Sequence, residues 1–204
     1  MKILSLQTNW KMEENLELIA FITGITGIWL TMRQKIWCFP VGLINVSISM
    51  VIFYEQHLYA DALQQIMYIS LLLYGWYNWK RKVSMNEMLR VSRLSIKEMA
   101  GYTVLILLST LLLGGLLITF TAAIFPWADS LATSAAFVAQ YLVARKKIEN
   151  WLLWMGVNLV YIAIYYHKDL QLYVILFSVY LILSFFGLYQ WNKELKSQPA
   201  SPNP

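Results

Sequence analysis

Arg145-Lys146-Lys147-Ile148-Glu149-Asn150-Trp151-Leu152-Leu153-Trp154-Met155-Gly156-Val157-Asn158 is a basic triplet followed closely by the opening of a long apolar run. Cations clustered beside an apolar segment mark the inner end of a membrane span. On a helix advancing about 100° per residue, Trp151, Trp154 and Asn158 fall within roughly 60° of one another, so two indoles and a carboxamide share one wall. An indole face attracts flat cations, and a carboxamide both donates and accepts hydrogen bonds. That wall suits an aromatic, polar, cationic small molecule. The competing reading makes the tryptophans interface anchors and Asn158 a bond to a neighbouring helix.

Across the whole chain, hydrophobic residues make up 59% of 204 positions and charged ones 13%, far from the balance of a soluble domain. This is a membrane protein of one expected domain, residues 1–204. Seven apolar runs near the length of a span are read at about 16–32, 36–54, 59–79, 100–124, 127–144, 150–166 and 170–190. With the N-terminus outside, the inner loops hold thirteen of the sixteen basic residues, and Lys2, Lys11 and Lys168 lie outside. The positive-inside rule therefore predicts N-out and C-in. This placement accounts for the net charge of +5 without nucleic acid as a partner; the lipid bilayer is the expected surroundings. The start, Met1 to Asn15, is polar and lacks a cleavable apolar core, so the first span is expected to direct insertion. The connection from about Lys80 to Met99 reads as an amphipathic interfacial helix, with a solvated linker as the alternative. The tail, 197–204, reads as disordered.

The basic triplet has an earlier image. Arg33-Gln34-Lys35 recurs as Arg145-Lys146-Lys147, Gly42-Leu43-Ile44-Asn45 as Gly156-Val157-Asn158 with one residue dropped, Leu58-Tyr59 as Leu172-Tyr173, and Gly75-Trp76-Tyr77-Asn78-Trp79 as Gly187-Leu188-Tyr189-Gln190-Trp191. Four motifs in order argue for an internal duplication. Two three-helix units, about 16–79 and 127–190, joined by a linking helix at about 100–124, would share one membrane orientation. The predicted fold class is therefore an all-α integral membrane protein of seven transmembrane helices, a 3+1+3 parallel repeat resembling the sweet-transporter fold.

Polar faces give the candidate contacts. The third segment aligns Asp61, Gln65, Tyr68, Leu72 and Trp79, and the seventh aligns Tyr173, Phe177, Tyr180, Ser184 and Trp191, each at its partner's position plus 112. Equivalent faces of this kind are expected to line a transport site. Gln140 on the fifth segment is read as pathway-lining, with a helix-to-helix bond as the alternative, because a mid-membrane glutamine needs a partner, a cavity or a ligand. Asn45 is taken as the repeat equivalent of Asn158, the two forming a polar pair or merely stitching helices. Asp129 is an N-cap or a substrate contact, Glu55 and His57 are read as solvated loop residues, with a gate or attraction of cations as the alternative, and Glu149 caps the sixth helix or pairs with Arg145. No motif for a nucleophile, a phosphate cradle or clustered metal ligands occurs, and one cysteine with two scattered histidines signals no metal site. No catalytic residue, metal or cofactor is expected.

These motifs resemble the PnuC family of vitamin transporters. The resemblance is carried by Gly42-Leu43-Ile44-Asn45-Val46, Leu58-Tyr59-Ala60-Asp61-Ala62 with Gln65, Tyr74 to Trp79, Phe125-Pro126-Trp127-Ala128-Asp129-Ser130, and Arg145 to Asn158. It implies one central substrate site and facilitated diffusion of nicotinamide riboside across the inner membrane, with trapping by intracellular phosphorylation. It also implies that Trp151, Trp154 and Asn158 touch substrate, with Asn45, Gln65 and Tyr68 as further contacts. Nicotinamide riboside has a cationic pyridinium for the indoles and a carboxamide for asparagine or glutamine. Thiamine, another flat cation, or a nucleoside-like vitamin fits the same wall. A homo-oligomer stays open, since lipid-facing and subunit-facing apolar surfaces look alike in sequence.

Overall fold

The computed structural model describes residues 2–55, 59–84, 87–121 and 123–198. Residues 199–204 of the expected disordered tail, and His57 and Leu58, lie outside them. Among the described residues there are seven helices: α1 (Lys2–Met32), α2 (Cys38–Glu55), α3 (Tyr59–Lys80), α4 (Ile96–Phe120), α5 (Pro126–Ala144), α6 (Asn150–His167) and α7 (Gln171–Ser197). Three of these, α2, α4 and α7, are long and apolar enough to cross a membrane by length and composition. Polar residues such as Asp61, Gln64 and Gln65 on α3, and Asp129, Ser130, Ser134 and Gln140 on α5, dilute the apolar character of the others.

The chain divides into two compact units, Met1–Lys80 and Arg81–Pro204. In the first, α2 packs against both α1 and α3; in the second, α4, α5, α6 and α7 pack in sequential order. The helix ends are set by a shared device. Gln34, Lys146 and Asp169 adopt positive φ of 53°, 50° and 57°. Each closes a Schellman turn, in which the residue after it reaches back five positions and it reaches back three. The bonds are Lys35 N to Leu30 O (2.9 Å) and Gln34 N to Thr31 O (2.9 Å), then Lys147 N to Leu142 O (2.9 Å) and Lys146 N to Val143 O (3.0 Å), then Leu170 N to Tyr165 O (3.0 Å) and Asp169 N to Tyr166 O (3.2 Å). These bonds satisfy carbonyls that the last helical turn leaves without partners.

The first two turns repeat 112 residues apart, and so do the helix starts after them. Cys38 N bonds to Lys35 O at 3.0 Å and Asn150 N to Lys147 O at 3.2 Å; Val41 N bonds to Trp37 O and Leu153 N to Glu149 O, both at 3.2 Å. The Arg33 guanidinium lies 5.5 Å from the Trp29 ring centroid and that of Arg145 5.9 Å from Tyr141. Phe39 meets Trp79 edge-on (5.0 Å, 89°), and Trp151 meets Trp191 likewise (5.5 Å, 90°). This constant offset corrects the expected pairing of the asparagines: the counterpart of Asn158 is Val46, that of Asn45 is Val157, and that of Trp154 is Gly42.

The expected helix between Lys80 and Met99 does not form before Ile96. Lys82–Ser84 and Glu87–Met88 pair as antiparallel strands β1 and β2. Beyond them Ser92 joins the 146–148 turn as a parallel bridge, its N–H donating to Lys146 O and its carbonyl accepting from Ile148 N, each at 3.0 Å. The helix start is fixed by Ser95 and Glu98, which form a reciprocal capping box, a Ser-x-x-Glu signal legible in the sequence and outweighed there by apolar spacing. Glu149 stands at the N-cap of α6 without a side-chain cap bond, and its Oε2 accepts instead from Leu94 N at 3.1 Å. Lys147 Nζ donates to Arg93 O at 3.0 Å and stands 4.0 Å from Glu98. With Val91 buried at 2% exposure, residues 91–95 strap the turn that opens α6.

Candidate functional site

The α6 stripe runs along the seam with α7. Trp151, 2% exposed, lies across Gly187: a Cβ placed there would come within 2.6 Å of three indole carbons. Only a residue without a side chain lets this ring approach the α7 backbone. Trp191, fully buried, closes the other side edge-on. Farther along the helix, Asn158 is 3% exposed and donates through Nδ2 to Ser184 Oγ at 3.3 Å. Ser184 Oγ in turn donates to the Tyr180 carbonyl at 2.8 Å.

Trp154 differs from Trp151 in being only half-buried. The stripe then continues past Asn158, the last residue expected in it. Tyr161 packs near Phe177 (4.9 Å) and Tyr165 stacks on Tyr173 (4.9 Å, 20°) and Phe177 (5.3 Å, 16°), with Tyr180 edge-on to Phe177 (5.8 Å). Tyr161 and Tyr165 lie three and seven residues beyond Asn158, on the same helical face. That spacing was the signal that could have found them. Such ring pairs add about 0.5–1.5 kcal/mol each beyond the area they bury.

Of the expected contacts, Trp151, Asn158 and Tyr180 lie along the seam of α6 and α7, each against different neighbours. Gln140 lies half-buried on α5, whose Ser130 and Ser134 hydroxyls are buried without a hydrogen-bond partner among the described residues. The Trp151 Nε1 is in the same condition. Asp129 sits in the first turn of α5 behind the N-cap Phe125, where its charge opposes the helix dipole favourably; the cap reading is replaced by this one.

In the first unit, Asn45 is committed to α1: its Nδ2 donates to Ala20 O at 2.6 Å and to Thr23 Oγ1 at 3.2 Å. Gln65, 8% exposed, donates to Asp61 O of its own helix at 3.3 Å, and Tyr68 is half-buried. The two asparagines therefore tie their helices to different neighbours, α2 to α1 and α6 to α7.

Comparison with known proteins agrees with this all-helical architecture. A family model described as nicotinamide mononucleotide transporter matches residues 14–193. The nicotinamide riboside transporter PnuC of Escherichia coli (strain K12) is 30% identical over 202 residues, covering 85% of this chain and 82% of the relative. The riboflavin/roseoflavin transporter RibM of Streptomyces davaonensis is 24% identical, covering 86% and 83%. A crystal structure of the vitamin B3 transporter PnuC superposes with a TM-score of 0.74 at 22% identity, over 97% of this chain and 89% of that one. These are transporters, not enzymes. With the model match spanning most of its length, the chain belongs to the nicotinamide mononucleotide transporter family of membrane transporters.

Proposed function

We propose that this protein carries nicotinamide riboside across the cytoplasmic membrane by facilitated diffusion, with intracellular phosphorylation of the vitamin preventing its return. The observation that carries the proposal is the α6 stripe: a half-buried indole, Trp154, one turn from a buried carboxamide, Asn158. Against a pyridinium an indole face contributes about 0.5–2 kcal/mol, more as water is excluded. The relative at 30% identity bears the name of a nicotinamide riboside transporter. Trp154, Asn158, Gln140 and Tyr180 are the proposed contacts in the second unit, Trp151 being packed against Gly187 and Trp191 instead; within the first, Gln65 and Tyr68 are proposed to face the permeating vitamin, while Asn45 has its amide engaged by α1.

The proposal extends to topology. The chain is read as one transporter domain, a 3+1+3 parallel repeat with α4 as the link. The hydrogen bonds and ring pairs that recur at an offset of 112 support this. The turns at 33–35 and 145–147 are placed on the cytoplasmic side by their charge, with the N-terminus outside. Transport is proposed to need no proton or sodium gradient, since no acidic residue falls at the centre of a span, where ion sites lie. Uptake in proteoliposomes that rises above the outside concentration only when a gradient is imposed would contradict uniport.

The relative named for riboflavin and roseoflavin favours a flavin as the second reading, and thiamine remains the third. Parallel calorimetric titrations of the purified protein with nicotinamide riboside, riboflavin and thiamine decide among them. Heat of binding for nicotinamide riboside is expected; binding of riboflavin or thiamine alone would overturn the assignment.

A further inference from the structure

We infer that Ser184 fixes which way round the Asn158 carboxamide sits, and thereby makes the site select a primary carboxamide over a carboxylate. The inference rests on the proposal that Asn158 meets the substrate. A serine hydroxyl has one proton to give. Ser184 Oγ stands 2.8 Å from the Tyr180 carbonyl oxygen, which can only accept, and 3.3 Å from Asn158 Nδ2. The shorter contact takes the proton, so toward Asn158 the hydroxyl oxygen is an acceptor. Turning the amide over would set its Oδ1 against that oxygen, two acceptors face to face in a buried seam. Nδ2 is therefore held on Ser184 and Oδ1 is held away from it. Among the described residues no group donates to that Oδ1, although the side chain is 3% exposed.

The pair is not needed for packing. At the offset of 112 its counterparts in the first unit are Val46 and Leu72. There α2 and α3 close with apolar side chains, a Cβ on Gly42 standing 3.0 Å from Leu72. The polar pair is thus an asymmetry confined to the second unit. What Asn158 still offers is one N–H and one C=O, the complement of another primary carboxamide. A carboxylate presents only acceptors and would leave Oδ1 facing an anionic oxygen. The site accordingly takes nicotinamide riboside and rejects its deamidated acid, with Ser184 as a positioning residue.

The test is calorimetric binding of nicotinamide riboside and nicotinic acid riboside to the full-length protein and to Ser184→Ala, Ser184→Thr and Asn158→Ala, each checked for folding by size exclusion and thermal unfolding. The native protein is expected to prefer the amide by on the order of 100-fold. In Ser184→Ala the amide turns freely, and the preference falls about tenfold with amide affinity kept within a few-fold. Ser184→Thr, which retains the hydroxyl, restores it. Should Ser184→Ala not fold, Ser184→Cys, close in size and a weak hydrogen-bonding group, is read in the same way. A native-like preference in Ser184→Ala, with Asn158→Ala losing amide binding, overturns the inference and leaves the site intact. Unchanged amide binding in Asn158→Ala overturns the reading of Asn158, and the inference with it.

Discussion

The indole of Trp151 lies on the bare backbone of Gly187, three of its ring carbons within 2.6 Å of where a Cβ would stand. The ring is held there by Trp191, edge-on at 5.5 Å. The relationship makes Gly187 part of the tryptophan's socket, and it separates Trp151 from Trp154 in what each can do. Trp151 is enclosed by protein on α7; Trp154, half-buried, has surface left for a ligand.

Gly187→Ala should therefore destabilise the protein by about 1–3 kcal/mol, the usual cost of overpacking a closed core. Gly114→Ala should cost less, because the Trp127 ring its Cβ would meet at 2.4 Å is 49% exposed and has room to shift. Gly156→Ala and Gly115→Ala, with nothing within 4 Å of the added carbon, should instead be neutral or gain up to about 1 kcal/mol of helix propensity. Thermal unfolding of the four variants in detergent checks the ordering, and equal losses at all four positions would contradict it.

The two tryptophans should separate by readout. Trp151→Ala empties a buried socket and is expected to lower stability by about 3–5 kcal/mol. Trp154→Ala should cost far less stability while weakening nicotinamide riboside binding and removing most of the tryptophan fluorescence quenched by it. If Trp154→Ala leaves both affinity and quenching unchanged, the indole wall has no ligand.

One carboxylate, that of Glu149, should add to the bonds that hold the strap at residues 91–95. Glu149→Ala leaves the Leu94 N–H without its charged acceptor, an expected loss of about 1–3 kcal/mol, and faster amide exchange at Leu94 and at Ile148, whose N–H bonds to Ser92 O. Glu149→Gln keeps an acceptor and should lose less. Exchange rates that do not respond would show that Val91 burial and the bonds of Ser92 and Arg93 to residues 146–148 hold the strap without Glu149.

The capping box makes the start of α4 sensitive to acid. The backbone N–H of Ser95, then its hydroxyl, hold the Glu98 carboxyl below its ordinary range. A depressed carboxyl favours the folded state above its unfolded pKa, and that contribution is lost as pH falls through the lower, folded value. Stability should thus decline on acidification in the native protein and less steeply in Glu98→Gln. Ser95→Ala should cost about 1 kcal/mol at neutral pH. Superimposable pH profiles for native protein and Glu98→Gln would remove Glu98 from the account.

The positions of the helices were legible because apolar run length is a local property, and helices α2, α3, α5 and α6 begin and end within about two residues of the expected spans. The recurrence was legible in Arg33 and Arg145 and in Gly75 to Trp79 against Gly187 to Trp191, all 112 apart, and the asparagine pairing departed from that offset by one residue. Aligning Asn45 with Asn158 by residue type pairs two similar side chains, whereas the hydrogen bonds pair each with a valine. The connection before Ile96 misled for a related reason: apolar spacing resembles a helix, whereas β1 pairs with β2 and Ser92 with the backbone groups of Lys146 and Ile148, distant in sequence.

Sequence by itself determined a basic-flanked, seven-helix membrane chain and the stripe of Trp151, Trp154 and Asn158, because membrane length, charge placement and helical period are all read along the chain. Tertiary structure alone decided what those side chains touch. A stripe has a direction on its own helix but no partner until another helix arrives. Gly187, Ser184 and Trp191 arrived on α7, turning Trp151 into a core residue, orienting Asn158, and leaving Trp154 as the indole with surface to spare.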